Sequence, residues 1–584
     1  CLPLLVKAAD VSTHVIVTSA KAVQFAQETG NPVRLLASLN KDLKKTEKFV
    51  GEIEEFILQD NVFGDSSFRL RPLKHTGVVI VEVSPATKSS EICVNDVAAG
   101  IERIANLTAV ESVEADSEIR LPEMERDQAE LYDKSKLKSH RSVTAVPNDP
   151  LYDELWGMDY IEAPAAWDLW TGISRSPATF RPVITVIDTG VDFRHEDLRD
   201  NIWMNEVELN GLRGVDDDGN GFVDDFYGWN VFTNNGFPDD GHGHGTHAAG
   251  SAGAVGNNNI GVTGANWGPL IQGCKFLSDS GSGSMSDAIT CIEYSLATAA
   301  HISSNSWGGG GYSDALRTAI EAARDAGQIF VAGAGNDGRN IDLRPTYPAS
   351  YNVENMITVA AHDDGGNLPR FSNFGEVDVE LAAPGVDIIS TYRDDQYATM
   401  SGTSMATPHV AGVVSLMLSA NPLLGYQQVK DLLEKSVDAV TGFRSKMRWS
   451  GTLNALKAIQ EALGAVTTTT TTITGTGTIN TFVFVGPGDE TCSESCPDQQ
   501  CHEEGTVSIN TDLDLCYNRL VEELPRLYFV KGTTSRGSPT VPAGCYVTED
   551  MEVNVNSFFW SGTVGCDAFE AYTNNNGKAC ICYT

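Results

Sequence analysis

Val183-Ile184-Thr185-Val186-Ile187-Asp188 is an apolar, largely β-branched run that ends in a carboxylate. A run of this kind, without polar alternation, is typical of a strand buried on both faces of a parallel sheet. Open α/β folds bind their ligands at the carboxyl ends of the strands, so we expect Asp188 at a functional edge. The alternative interpretation is a turn aspartate, since Thr189-Gly190 follows directly.

Strand and helix patterns alternate outward from this run, between residues 147 and 463. This alternation predicts an α/β domain built on a parallel sheet. The further strands are predicted at 329–334 and 356–361, and the helices at 244–254, 284–300, 314–326 and 403–420.

Gly402-Thr403-Ser404-Met405-Ala406 places one serine among small residues at the start of an apolar helix. A serine hydroxyl is a weak nucleophile that needs a neighbouring base. The N-terminus of a helix favours negative charge, so Ser404 suits a nucleophile whose attack creates an oxyanion. The alternative role for Ser404 is an ordinary helix cap.

His244-Gly245-Thr246-His247 supplies imidazoles at another helix start. An imidazole can take the serine proton, while a carboxylate orients the ring and stabilises its charged form. His244 and His247 share roughly one helix face, which would also suit a metal, but the HExxH pattern of zinc proteases is missing. His242 is a third histidine in the same stretch.

Three blocks, 186–190, 244–250 and 402–412, resemble the motifs of subtilases, which are subtilisin-like serine endopeptidases. The order aspartate, histidine, serine is also that of the subtilisin triad. The resemblance covers about 148–460 and implies a subtilisin-like parallel sheet with helices on both faces. It implies Asp188, His244 and Ser404 as the triad, because the family's base is the first histidine of the HGTH block.

The same resemblance implies further site residues. Asn336, in a Gly-Asn motif after a predicted strand, corresponds to the family's oxyanion-hole asparagine, and its alternative role is a turn residue. Asp337 falls near the primary specificity pocket, which would suit basic or polar substrate side chains. Two backbone edges are expected to pair with protein or peptide substrates by β-augmentation: Ser306, Trp307 and Gly308, and Gly281, Ser282 and Gly283.

Structural calcium is predicted at two places. The stretch 216–225 resembles an EF-hand loop, although Tyr227 stands where loop position twelve would carry glutamate; a solvated acidic loop is the alternative. Its predicted ligands are Asp216, Asp218, Asn220, Asp224 and Asp225. Family resemblance implies a second site formed by Asp149, Asp197 and Asn258, with carbonyls of Gly256, Ile260 and Val262.

The flanking regions predict a zymogen. An α+β module ending in the strand pattern 110–119 resembles a subtilase propeptide, which acts as folding chaperone and inhibitor, with its cut between 120 and 147. We predict these segments: 1–69, the N-terminal part of the pro-region; 70–121, the propeptide module, with a helix at 91–107; 122–146, a processing linker; 147–463, the catalytic domain; 464–490, a Thr/Gly-rich linker; and 491–584, a disulfide-rich C-terminal domain.

Charge and cysteine content limit the function classes. A net charge of −37 argues against nucleic acid and anionic membranes as partners, and no apolar run approaches the ~18 residues of a membrane span. Eight cysteines after position 490 predict disulfides and therefore a secreted protein. Zinc is disfavoured because no CxxC spacing occurs there and His502 is the only nearby histidine.

Several points stay open at the level of sequence. The C-terminal domain could bind glycan or protein, or serve only as an anchor, and Asn106 begins a glycosylation sequon. Cys274 and Cys291 form either a disulfide or two buried thiols; with the calcium loop, they resemble alveolate subtilases. The alternative function is a catalytically inactive subtilase scaffold that presents the cysteine-rich module.

Overall fold

The structure is a computed structural model, and its described residues fall into two compact units. It describes residues 33–39, 67–84, 110–122, 129–132, 146–173 and 180–465, single positions at 57, 101, 104, 105 and 107, and the backbone of four short strands between 545 and 583. Most of the predicted helix at 91–107, the linker beyond 465 and the C-terminal cysteine side chains lie outside the described residues.

A four-stranded antiparallel sheet forms the N-terminal module, in the order β2-β3-β1-β4. The sheet includes residues before the predicted start at 70, because β1 lies between β3 and β4 and pairs with both. Its strands are β1 (Val33–Leu39), β2 (Ser67–Leu73), β3 (Val78–Ser84) and β4 (Val110–Ala115).

Successive side chains of β3 point to opposite faces of the module's sheet, and both faces are buried. Val79 and Val81 of β3 pack in one cluster with Leu35, whereas Val78 and Ile80 pack in a second cluster with residues of the larger domain. Successive strand residues point to opposite faces, so an apolar run without alternation is the pattern expected here.

Two short strands follow the module, and both matter for the site. They are β5 (Glu118–Arg120) and β6 (Glu130–Leu131). The sequence pattern merges β5 with β4 in one predicted strand, but Asp116 and Ser117 separate them.

The larger domain, predicted at 147–463, is built on a nine-stranded sheet in the order β17-β18-β14-β13-β12-β11-β7-β9-β8. Neighbouring strands run parallel except β17 and β18, which confirms the predicted α/β class. The strands of this domain are β7 (Val183–Asp188), β8 (Gly228–Asn230), β9 (Leu270–Lys275), β10 (Ser282–Ser284), β11 (Ile302–Asn305), β12 (Ile329–Gly333), β13 (Met356–His362), β14 (Leu381–Pro384), β15 (Ile388–Tyr392), β16 (Gln396–Met400), β17 (Asp438–Ala439) and β18 (Gly451–Thr452).

Helices connect these strands, and the predicted four are present with ends within a few residues. Side-chain caps begin two of them: Ser284 accepts from the Asp287 amide and Ser313 from the Leu316 amide. No helix within the described residues is both long and apolar enough to cross a membrane. The helices are α1 (Trp156–Tyr160), α2 (Ala163–Leu169), α3 (Glu206–Asn210), α4 (His244–Gly253), α5 (Met285–Ala297), α6 (Asp314–Asp325), α7 (Thr403–Ala420), α8 (Tyr426–Ser436) and α9 (Ala455–Gly464).

A disulfide joins Cys274 of β9 to Cys291 of α5, which resolves the two alternatives left open by the sequence. The second compact unit groups Ile173–Phe180, Ser419–Leu424 and Glu461–Thr584. Its described strands form two antiparallel pairs, β19 (Cys545–Val547) with β20 (Val553–Val555) and β21 (Phe569–Thr573) with β22 (Ala579–Tyr583).

Candidate active site

Three predicted site residues lie at one edge of the main sheet. Asp188 ends β7, Ser306 follows β11, and Asn336 lies three residues beyond β12. These three strands are consecutive neighbours and run parallel, so their carboxyl ends meet at the same edge. The location agrees with the expectation for ligand sites in open α/β sheets.

Asp188 and His244 are in direct contact. The Nδ1 of His244 lies 2.8 Å from the Oδ1 of Asp188, and both side chains are buried. Gly245 allows this approach, because a Cβ there would lie 2.1 Å from the carbonyl oxygen of Gly190. The Gly245 amide donates to the Thr189 hydroxyl at 2.9 Å, which ties the start of α4 to the end of β7.

The other two histidines of the motif are in different environments. The Nε2 of His247 faces the carbonyls of Ile388 and Ala398, at 3.0 and 3.1 Å, and burial lowers the pKa of His247 to about 3. Burial also lowers the pKa of His242. His244 is the histidine that contacts the Asp188 carboxylate, in agreement with the choice of base that the family resemblance implies.

Ser404 lies in the first turn of α7 and is held against the loop after β11. Its Oγ donates to the carbonyl of Ser306 at 3.1 Å, and the Ser306 hydroxyl donates to the carbonyl of Ser404 at 2.9 Å. This reciprocal pair fixes the helix start at the sheet edge that carries Asp188. Ser404 is buried, with 3% of its surface exposed.

Asn336 is oriented by the residue before Ser404. Its Oδ1 accepts from both the amide and the hydroxyl of Thr403, at 2.9 and 3.0 Å. The side-chain amide therefore presents its Nδ2 as the donating end. Gly335, with φ +96, supplies the left-handed turn that brings Asn336 to this position.

The two predicted substrate edges are paired with a segment of the same chain. Strand β5 runs antiparallel to β10, with Arg120 opposite Ser282 and Ile119 opposite Gly283. The Leu121 amide donates to the carbonyl of Gly281 at 2.8 Å. Arg120 also forms an antiparallel bridge with Gly308 on the other predicted edge. The segment 118–121 thus lies between the two edges as a middle strand.

Apolar side chains of this segment are buried in the edges. Ile119 and Leu121 are 1% and 0% exposed, respectively. Both belong to one apolar cluster with Phe276, Met285 and Trp307, so the predicted edge residue Trp307 packs with the side chains of this segment. Such anchoring by alternate side chains is how an added strand gains specificity beyond its main-chain bonds.

A second contact holds the chain farther along. Strand β6 pairs antiparallel with β16, with Leu131 opposite Ala398, and the Tyr132 amide donates to the carbonyl of Tyr397 at 2.8 Å. Strand β16 ends at Met400, four residues before Ser404. The chain is therefore anchored at 118–121 and again at 129–132.

The resemblance-based calcium residues converge in the structure. Asp149 accepts from the amides of Asn257 and Asn258, and Asp197 accepts from the Asn258 side chain and the Val262 amide. Both carboxylates are fully buried, which raises the pKa of Asp149 to about 7 and that of Asp197 well above its usual range. Neither carboxylate forms an ion pair with a described residue, and such a buried pair fits a hard cation, which would compensate its desolvation.

The acidic loop brings two of the predicted ligands together with a carboxylate from outside the loop. Carboxylate oxygens of Glu208, Asp218 and Asp225 lie within 4.8 Å of one another. Asp216 and Asp224 are not part of this group: their carboxylates accept from the amides of Gly221 and Gly214, respectively. Asn220 stays close, since its Nδ2 donates to Asp218 and Asp225 at 3.0 and 3.1 Å.

Sequence analysis missed Glu208 as a candidate ligand, because the EF-hand spacing covers only residues inside the loop. It lies on α3, and its carboxylate accepts from the amides of Asp217, Asp218 and Asp224, so it organises the loop from outside. The available signal is the pair Asn205 and Glu208, spaced as a helix cap and its third residue. Asn205 caps α3 and also donates to Asp225.

Taken together, the site and fold define the class of protein. Residues 181–465 match the model of the Subtilase family. Thermitase of Thermoactinomyces vulgaris is 36% identical over 316 residues, which cover 54% of this chain and 99% of thermitase. The chain belongs to the subtilase family.

Protist proteins are similar over the same region. Subtilisin-like protease 1 of Plasmodium berghei (strain Anka) is 33% identical over 335 residues, or 54% of this chain and 55% of that protein. The protein of the same name from Plasmodium vivax is 32% identical over 357 residues, or 58% of this chain and 55% of that protein. The chain therefore spans about half the length of these Plasmodium relatives.

Proposed function

We propose that this protein is a serine endopeptidase made as a zymogen. The contact of His244 with Asp188 at the sheet edge, beside the helix start that carries Ser404, is the observation that carries the proposal. Residues of these types, in this chain order and on this fold, perform acyl transfer. The inactive-scaffold alternative gains no support, because all the residue types required for catalysis are present.

Each residue has a defined task in the proposed reaction. His244 takes the proton from the Ser404 hydroxyl, whose oxygen attacks the scissile carbonyl and forms a tetrahedral oxyanion. The Ser404 amide and the Asn336 side chain donate hydrogen bonds to that oxyanion. His244 returns the proton to the leaving amine, and water then hydrolyses the acyl-enzyme by the same sequence of steps. Asp188 holds the imidazole tautomer and stabilises its charged form.

The N-terminal module is proposed as the inhibitor of the uncut chain. Two of its carboxylates contact helix starts of the catalytic domain: Asp116 accepts from the Ser286 amide at 2.9 Å, and Glu114 accepts from the Ala315 amide at 3.2 Å. Carboxyl oxygens are favourable partners there because the first amides of a helix have no acceptor within the helix. Together with β5 between the substrate edges, these contacts support a module that blocks the cleft until it is removed.

The maturation cut is proposed within residues 122–129. This segment joins the strand between the substrate edges to the strand on β16, and β16 leads directly to Ser404. This proposal narrows the predicted position of the cut, which the sequence places between residues 120 and 147. A cut here would leave 130–132 attached to the catalytic domain through residue 146.

Labelling with a fluorophosphonate tests the proposed chemistry. Processed protein is expected to carry one label on Ser404, because only an activated serine reacts, and uncut protein is expected to carry much less. Ser401→Ala, which removes a hydroxyl three residues away, is the control and should label as the native chain does. Mass spectrometry of the labelled peptide locates the adduct, and failure of processed protein to label at Ser404 would refute the proposal.

Calcium is proposed at two sites, one with Asp149, Asp197 and Asn258, and one with Glu208, Asp218 and Asp225. A cation bound only to the folded state at about 100 times its Kd contributes about 2.7 kcal/mol. EDTA should therefore lower the Tm by roughly 5–10 °C, and added calcium should restore it. Differential scanning calorimetry measures both shifts.

Matched variants separate the two calcium sites. Asp197→Asn and Glu208→Gln should each remove part of the calcium-dependent shift, because each deletes a buried ligand. Glu206→Gln is the control, since this exposed carboxylate lies on the same helix as Glu208 but outside the group of three. An unchanged Tm in EDTA for the native chain would contradict both sites.

Secretion is proposed from the cysteines. The disulfide between Cys274 and Cys291 and the eight cysteines after position 490 suit an oxidising compartment. We also propose that Asn106 is glycosylated and that the C-terminal domain binds glycan or protein.

A further inference from the structure

A buried lysine lies at the same edge of the main sheet as Asp188. Lys275 ends β9, and it is the register partner of Asp188 on the adjacent parallel strand β7. The side chain of Lys275 is only 8% exposed. Lysine is seldom buried to this extent, because removal of an ammonium group from water is costly. None of the proposed reaction steps uses this residue.

A hydrogen bond ties this ammonium group to the residue after Asp188. The Nζ of Lys275 donates to the Thr189 carbonyl at 2.5 Å. The Thr189 amide donates to the same Asp188 oxygen that contacts His244, and the Thr189 hydroxyl accepts from the Gly245 amide. Thr189 therefore links the lysine on β9 to both residues of the carboxylate–imidazole contact.

The carboxylate partner of Lys275 lies largely in solvent. The Nζ donates to the Oδ1 of Asp279 at 2.8 Å, and this hydrogen bond lowers the pKa of Asp279. Asp279 has 66% of its side chain exposed, so water screens much of its charge, whereas the ammonium group is buried. Asp279 therefore neutralises the charge of Lys275 only in part.

Several titratable groups surround the histidine motif. They are Asp188 on β7, His242 and Asp240 before α4, His247 on α4, and Lys275 with Asp279 after β9. Lys275 is close enough to this group to lower the pKa of His242, after the larger effects of burial and of His244. Burial keeps His242 and His247 neutral at neutral pH, because it lowers the pKa of each. Lys275 thus places a lasting positive charge beside the motif.

Resting on the proposed peptidase function, we propose that Lys275 is a positioning residue that keeps the His244 base neutral, and therefore active, under mildly acidic conditions. A neighbouring ammonium group disfavours the charged imidazolium, whereas the Asp188 carboxylate favours it. Only the neutral imidazole can take the proton of Ser404. Lys275 would therefore extend the working range of the enzyme toward lower pH without touching the substrate.

The pH dependence of two variants with opposite charge changes tests this proposal. Full-length protein is allowed to process, and kcat/KM for one peptide and the rate of fluorophosphonate labelling are measured over about pH 5–9, where an imidazole titrates. Lys275→Met removes the positive charge, so the acidic limb of both profiles should move to higher pH by about 0.5–1 unit. Asp279→Asn removes the counter-charge, so the limb should move to lower pH, by a smaller amount because this carboxylate is exposed.

Lys435→Met removes an exposed lysine of α8 and is the matched control, for which the native profile is expected. A loss of kcat/KM in Lys275→Met that is uniform across the pH range would indicate a purely structural role and overturn the inference. Shifts of Lys275→Met and Asp279→Asn in the same direction would overturn it too. If Lys275→Met fails to fold, an acidic limb of Asp279→Asn that stays in place or moves to higher pH would still refute it.

Fluorophosphonate labelling separates this inference from the proposed function. Native processed protein that carries the label on Ser404 supports the peptidase proposal, whatever the pH profiles of the variants. Native protein that fails to label contradicts both proposals.

Discussion

Ser404→Ala should yield a chain that stays full length and hydrolyses no substrate above background. Removal of the nucleophile from subtilisin, a member of this family, lowers turnover by about 10⁶, and we expect a similar loss here. The substitution should cost only about 1 kcal/mol of folding stability, because it deletes one hydrogen bond to Ser306. Intact mass of protein made by cell-free translation reports processing, and a peptide assay reports hydrolysis.

Ser401→Ala serves again as the control and should process normally. Normal processing of Ser404→Ala in a protease-free translation system would contradict self-cleavage by this serine. Calorimetry on the uncut variant checks that the loss is chemical, since the fold should be retained.

Asn336→Ala should lower kcat by ~10²–10³ while KM changes little. That magnitude comes from the corresponding substitution in subtilisin. The reason is that the Nδ2 donor strengthens its bond as negative charge develops, so the loss falls on the transition state rather than on bound substrate. Steady-state kinetics on one peptide substrate gives both parameters.

Asn340→Ala is the comparison for Asn336→Ala. Asn340 lies in the same loop, and its Oδ1 accepts from the Asp342 amide, so its loss disturbs the loop without removing the proposed oxyanion donor. If both variants lose activity alike, with raised KM, Asn336 supports the loop and does not stabilise the oxyanion.

Local sequence patterns were sufficient to predict those elements of the site whose structure depends on residues close together in the chain. The apolar run ending at Asp188, the glycine-rich turn before Ser404 and the helix beginning at His244 depend on neighbours in the chain. The edges at 281–283 and 306–308 were predicted from the family resemblance, and in the structure both pair with the chain's own segment at 118–121. Each of these elements is present in the structure at the predicted residues.

The features that the sequence did not predict depend on contacts between residues that are far apart in the chain. Strand β1 joins the module through pairing with β3 and β4, and no local alternation distinguishes it. Strand β6 is two residues long within a charged stretch that composition assigns to a linker. Glu208 joins the carboxylates of Asp218 and Asp225 because its hydrogen bonds reach from α3 into the loop, whereas the spacing rule counts only residues inside the loop.

Two carboxylates where the N-terminal module meets the larger domain make the docking of the module depend on pH. Burial raises the pKa of Glu114 to about 7 and that of Asp116 to about 6, with Asp287 adding to the latter and Arg34 opposing it. Docking of the module therefore takes up protons. For Glu114 the resulting stabilisation of docking is complete below the ordinary pKa of 4.5, and it is lost as the pH rises through about 7. A rise in pH from mildly acidic to neutral would therefore weaken the binding of the module to the larger domain.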